Sequence, residues 1–242
     1  MVEVKNLTKM YGRGAALSNL SFSLPAASIL GVVGANGAGK STLFDILATL
    51  DHKFEGEVKV AGYNIKREQR AIRPMVGYLP GQFSLYRELT VIENIKFYAK
   101  MYGSSIDSLH KIEIWDSLRE FSNFRGDQLS GGMQQKLSLL CALIHSPSLL
   151  LLDEPTTGID VESRKLIQRE FLRLKSEGVT TIVSTHYYEE FASFDYLLLL
   201  HKGKRLFFRT KEEMAVPENN SAHFFENYIY NEIVKFEELE GE

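Results

Sequence analysis

The stretch Gly34-Ala35-Asn36-Gly37-Ala38-Gly39-Lys40-Ser41-Thr42 decides the fold of this chain. It follows the apolar run ILGVV at 29–33 and opens a segment, about 40–48, whose apolar residues fall at helical spacing. A run with no polar side chain predicts a strand buried on both faces, so the unit reads strand, glycine-rich loop, helix. Working outward, residues 2–4, 20–24, 57–60 and 76–78 predict further strands, as do the fully apolar run 149–152 and residues 181–184. Helical segments at 131–144 and about 161–175 alternate with the later strands, the pattern of a mostly parallel sheet covered on both faces. Helical spacing over 91–102 and 106–121 predicts an inserted helical subdomain, about 87–145. The expected fold class is α/β.

The glycine-rich stretch matches G-x-x-x-x-G-K-[ST] in the required setting, after a buried strand and at a helix start. There the glycines let successive backbone N–H groups converge with the positive helix end on phosphate oxygens. Lys40 is expected to reach the outer phosphates, Ser41 to offer its hydroxyl to Mg²⁺, and Thr42 to lie near the inner phosphate. The pattern predicts nucleoside triphosphate binding and leaves the use of that nucleotide open.

The apolar run 149–152 delivers two carboxylates, Asp153 and Glu154, to the carboxyl edge of the sheet, where ligands of open α/β sheets bind. Adjacent carboxylates repel, and a divalent ion beside Asp153 makes both tolerable. Asp153 then anchors the metal, and Glu154 acts on an attacking water.

A chain of 242 residues with 44% hydrophobic content supports a sizeable core. Its net charge of −3 argues against nucleic acid as a partner. No apolar run approaches the roughly 20 residues that cross a bilayer, the N-terminus lacks the profile of a secretory signal, and a lone cysteine builds no disulfide framework. These features predict a cytoplasmic location, with Cys141 as a buried structural thiol. Beyond Pro217, seven glutamates stand against Lys235, leaving −6 on residues 217–242 and +3 on the rest. Phe225, Tyr228, Ile229, Ile233 and Phe236 recur every three or four residues, so 211–242 reads as an acidic appendage with an amphipathic helix packed on its own domain.

Between the two sites lies Leu129-Ser130-Gly131-Gly132-Met133-Gln134-Gln135. A Ser-Gly-Gly at a helix start presents free N–H groups and a hydroxyl to an anion, a second phosphate-binding device. This string resembles the LSGGQ signature of ABC ATPases, and the resemblance covers roughly residues 1–210. It implies a P-loop NTPase fold with an N-terminal antiparallel β subdomain and ATP as the nucleotide. It also implies a head-to-tail dimer with a second copy or a homologous ATPase. There Ser130, Gly131 and Gly132 of each subunit close on the ATP held by the other. Tyr11 resembles the aromatic on which adenine stacks. Thr157-Gly158-Ile159-Asp160 resembles the loop that crosses the dimer interface, and His186 in STHYYEE the histidine that contacts the γ-phosphate.

Two positions depart from the family's pattern. Met133 stands where the signature usually has Gln. Counting back from Leu89-Thr90-Val91, the glutamine that touches Mg²⁺ or the attacking water falls on Gly81, with Gln82 one place late. Glycine's backbone freedom would let Gln82 supply that amide. The wording GQFSLYRELTV, LSGGMQQKLSL and DEPTTGIDVESR resembles the branch serving drug, polysaccharide and lipid exporters. That branch implies a separate transmembrane permease subunit, contacted by the region around 82–97, with this chain peripheral on the inner face of the cell membrane. The alternative is a soluble ABC ATPase not engaged in transport. A single cassette with a short helical insert favours the transport motor, and intact Lys40, Glu154 and His186 argue against a non-enzymatic binding module descended from an ATPase.

Overall fold

The computed structural model describes residues 1–81, 85–107, 109–217 and 221–241. Strands β1 (Val2–Tyr11) and β2 (Gly14–Leu24) form a hairpin, followed by β3 (Ile29–Val33) and helix α1 (Lys40–Leu47). Next come β4 (Glu55–Val60), β5 (Tyr63–Asn64), α2 (Gln69–Ile72), β6 (Val76–Leu79), α3 (Val91–Met101), α4 (Glu113–Asp116) and α5 (Gly131–Leu143). The remainder is β7 (Leu149–Asp153), α6 (Val161–Ser176), β8 (Thr180–Ser184), β9 (Tyr196–His201), β10 (Lys204–Thr210), α7 (Lys211–Met214) and α8 (Ser221–Gly241).

Two sheets result. The antiparallel one has the order β2-β1-β4-β5, and the larger one has the order β10-β9-β3-β8-β7-β6, parallel except for β10. Strands β3, β7 and β8 are buried at every residue. Their alternating side chains feed two separate cores. Ile29, Val33, Leu150, Leu152, Leu197 and Leu199 face the layer of α3, α5, α6 and α8. Leu30, Val32, Leu149, Leu151, Leu198 and Leu200 face α1 and the antiparallel sheet.

Residues 106–121 depart from the helix expected of them. Among its described residues the stretch is a chain of tight turns, with α4 as a short α-helix. Ile106, Leu109, Ile112, Trp115, Leu118 and Phe121 are spaced by three throughout. Each amide from Leu109 to Phe121 in that series donates to the carbonyl of the member before it. A strict period of three matches the 3₁₀ repeat, in which residues i and i+3 eclipse, and not the 3.6-residue α repeat.

The C-terminal helix is part of the main core. Phe225 is fully buried, Ile229 nearly so, and Tyr228 and Ile233 pack against the same cluster. Phe225 meets Phe191 edge to face at 5.3 Å. Cys141 is buried on α5, where burial pushes its thiol pKa up. Among the described residues no helix is long and apolar enough to cross a membrane.

Candidate nucleotide site

The glycine loop hangs between β3 and α1 at the carboxyl edge of the parallel sheet. Gly34 leaves β3 with φ 154°, and a Cβ there would stand 2.2 Å from the Leu200 carbonyl oxygen on neighbouring β9. Gly39 caps α1 with φ 103°, and its Cβ would meet the Ala16 carbonyl oxygen at 2.5 Å. Both positions therefore require glycine, for conformation and for clearance.

Lys40, only 6% exposed, donates from Nζ to the carbonyls of Gly34 at 2.7 Å and Ala35 at 3.3 Å. Burial draws its pKa down, while the carboxylates of Glu154 and Asp153 draw it back up. Ser41 Oγ donates to Asp153 Oδ2 at 2.8 Å, so the hydroxyl at the start of α1 meets the carboxylate at the end of β7. A cleft of about 450 Å³ opens here, lined by Ala16, Asn36, Gly37, Gly39, Lys40, Ser41, Thr42 and Glu154. A second cavity of about 340 Å³, lined by Leu143, Pro147, Arg173 and Glu177 among others, contains none of these motif residues.

Ser184, last in β8, is a site residue that the sequence did not single out. Its Oγ donates to Asp153 Oδ1 at 2.5 Å and accepts from the Glu154 amide at 2.9 Å. Its only sequence signal is a hydroxyl ending an apolar strand just before Thr185-His186. Glu154 has φ 52°, a left-handed conformation costing a non-glycine residue roughly 1–3 kcal/mol unless its surroundings impose it. They do: Ser184 holds its amide, and its carboxylate meets His186 Nε2 at 2.7 Å and the Thr157 hydroxyl at 3.4 Å.

Other expected site residues lie apart from this cluster. Tyr11 is half exposed at the end of β1 and does not line the cleft. Its hydroxyl donates to Asp51 Oδ2 at 3.2 Å, and Lys9 Nζ lies 4.8 Å from its ring centroid while pairing with Asp51. One ring face thus carries a buried cation. Ser130 caps α5, accepting from the Met133 amide at 3.4 Å. Ser130 and Gly131 are exposed, and neither they nor Gly132 lines the cleft of their own chain. Instead Gly132 abuts the segment leading into α6: a Cβ there would lie 3.4 Å from Asp160 Oδ2. Asp160 itself caps α6 by accepting from the Ser163 amide at 2.8 Å.

Gln82 lies outside the described residues. Gly81 is described, and its backbone does not occupy the left-handed region. The expected placing of the Gln82 amide by Gly81 lies with Gln82 outside the described residues. A Cβ at Gly81 would sit 3.6 Å from Asp153 Oδ2, an ordinary contact, so the chain here runs directly past the carboxylate.

The donor set fits Mg²⁺. Ser41 and Asp153 bring only oxygens together, as a small hard cation bound with phosphate oxygens and water requires. Among the described residues no cluster of three or more His, Cys, Asp or Glu forms a dedicated metal cage.

A glycine loop between a buried strand and a helix, facing a strand-end carboxylate across a parallel sheet edge, defines a P-loop NTPase. The profile of the ABC transporter family matches residues 17–157. Linearmycin resistance ATP-binding protein LnrL of Bacillus subtilis (strain 168) is 34% identical over 220 residues, covering 89% of this chain and 71% of that protein. Probable multidrug ABC transporter ATP-binding protein YbhF of Escherichia coli (strain K12) is 32% identical over 224 residues, covering 91% of this chain. The chain spans only 39% of that protein's length. Among solved structures, the ATP-binding cassette MJ0796 in a dimeric post-hydrolysis state bound to ADP and Pi superposes with a TM-score of 0.78 at 27% identity. That match covers 87% of this chain and 98% of the cassette. The chain belongs to the ABC transporter family and is one of its ATPase domains.

Proposed function

We propose that this chain hydrolyses ATP to drive transport, in the export direction, through a separate membrane-spanning subunit. The observation that carries the hydrolytic part is the contact of Glu154 Oε1 with His186 Nε2 at 2.7 Å, at the mouth of the cleft that Lys40 and Ser41 line.

In this reading the backbone amides of 34–42 and the Lys40 ammonium hold the outer phosphates, neutralising charge that builds as the bond to the γ-phosphorus breaks. Glu154 accepts a proton from the attacking water, whose oxygen bonds to the γ-phosphorus as ADP departs with the bridging oxygen. His186 orients Glu154 and contacts the γ-phosphate. Ser41 and Asp153 would hold Mg²⁺, which would supply positive charge against the phosphates. The exposed face of Tyr11 receives the adenine ring.

The exposed positions of Ser130 and Gly131 support a composite site, in which a second copy or a homologous ATPase brings its signature helix to the ATP. Light scattering with a slowly hydrolysed ATP analogue should then show mass doubling. A monomer at every concentration with full activity would refute it.

For the membrane partner, the support is a face that the fold leaves open beside the loop after β6. Tyr86 and Phe97 are 47% and 42% exposed and meet edge to face at 4.9 Å, with Met101 also exposed. Asn94, fully buried, braces the adjoining loop by bonding the backbone of Tyr86, Leu89 and Thr90. Relatives named for multidrug transport and linearmycin resistance favour export. A tagged chain should co-purify from detergent-solubilised membranes with a multi-spanning protein in fixed ratio. Recovery only from the soluble fraction, alone and fully active, would instead favour an ATPase outside transport.

A further inference from the structure

Glu190 is a buried carboxylate that the cleft does not use. It lies in the 3₁₀ segment Tyr188–Ser193, is 1% exposed, and neither of its oxygens has a hydrogen-bond partner among the described residues. Two neighbours are in the same condition, Thr156 Oγ1 and Arg164 Nε. Arg164 Nε stands 4.0 Å from Glu190 Oε1. Burial pushes the Glu190 pKa up, and the Thr185 and Thr156 hydroxyls draw it back, close enough to favour its charged form though outside the geometry of a formed hydrogen bond. Buried polar groups without partners are rare in native proteins, and each calls for an explanation.

The sequence positions of these neighbours give the cluster its meaning. Thr156 comes two residues after Glu154, and Thr185 immediately precedes His186. Arg164 belongs to α6 and lays its guanidinium 3.7 Å over the ring of Tyr187, the residue after His186. One carboxylate therefore faces the loop leaving β7, the loop leaving β8 and the helix between them. Glu154 is held in a left-handed backbone conformation, which persists only where several contacts impose it. Ser184 supplies one of those contacts from the strand end; Glu190 is buried against Arg164 of the helix that joins the two loops.

We propose that Glu190 is a positioning residue for hydrolysis: its carboxylate gathers Thr156, Thr185 and Arg164 and so keeps Glu154 and His186 in contact. This rests on the assignment of Glu154 and His186 as the groups that act on water and the γ-phosphate.

The test is steady-state ATPase kinetics and nucleotide binding for Glu190→Gln and Glu190→Ala, each in the native and the His186→Ala background. Displacement of a reacting group by about 1 Å lowers rates on the order of 100-fold. Glu190→Gln, which keeps shape and loses charge, should lower kcat roughly 10-fold, and Glu190→Ala more, with the nucleotide Kd changed less than about twofold. In the His186→Ala background the same substitutions should cost far less, because the contact they loosen is already gone. Equal fold-losses in both backgrounds would reduce Glu190 to a packing residue and overturn the proposal, as would a Glu190→Gln variant with native kcat. If Glu190→Ala fails to fold, Glu190→Gln alone decides. Native turnover in both Glu154→Gln and His186→Ala would instead refute the underlying site assignment.

Discussion

His186 Nε2 lies 2.7 Å from Glu154 Oε1, joining the ends of two neighbouring parallel strands across 32 residues of sequence. The contact leaves the carboxylate oriented by an imidazole, with its other oxygen near Thr157. Glu154→Gln should preserve nucleotide and Mg²⁺ binding and cut kcat by roughly 10²–10⁴-fold, the range for loss of general base catalysis. Parallel binding and turnover assays measure the split, and a native rate would return Glu154 to a structural role.

Lys40 is expected to act in opposite directions on turnover and on stability. Its folded pKa is lowered, chiefly by burial, so the charged form is disfavoured in the fold at every pH below the ordinary lysine range. That penalty disappears only as pH rises past the unfolded pKa. Lys40→Ala should therefore abolish turnover and weaken nucleotide binding, yet leave the Tm of the nucleotide-free protein equal or higher at neutral pH. Thermal denaturation beside an ATPase assay checks both, and a large fall in Tm would show that its bonds to Gly34 and Ala35 outweigh desolvation.

Asp51 makes the region around Tyr11 sensitive to acid. Burial alone would raise its pKa, but contacts with Lys9, the Lys53 amide and the Tyr11 hydroxyl together hold it below the usual carboxylate value. A depressed folded pKa contributes stability that is present above the unfolded pKa, about 4, and is lost as pH falls through the folded value. Asp51→Asn should thus cost roughly 1–3 kcal/mol at pH 7, because Lys9 is left buried with fewer partners. The difference from the native chain should shrink below about pH 4. Urea unfolding across pH tests it, and a pH-independent difference would assign the loss to packing.

Phe225 carries the attachment of the acidic tail. It is fully buried against Phe191, in the segment that also presents Glu190, so Phe225→Ala should destabilise the whole domain by about 3–5 kcal/mol. A single cooperative unfolding transition at lower denaturant would follow. Two separate transitions, with the ATPase core unaffected, would mean that α8 melts independently.

The sequence by itself determined whatever depends on contiguous residues: the strand-loop-helix around 34–42, the buried runs that mark β3 and β7, the carboxylates at the end of 149–153, and the helix starts at Ser130 and Asp160. Each follows from local sterics, hydrogen-bond capping or periodicity, which act within a few residues. Periodicity misled only where the repeat was three instead of 3.6, at 106–121. The tertiary structure alone decided the partnerships. In the order β3-β8-β7, strands far apart in sequence become neighbours, and that is what brings Ser184 between Asp153 and Glu154 and sets His186 against Glu154. It also buries Glu190 beside Arg164 of α6, an arrangement that no local pattern encodes, because parallel strands are joined only through crossovers whose course the whole core settles.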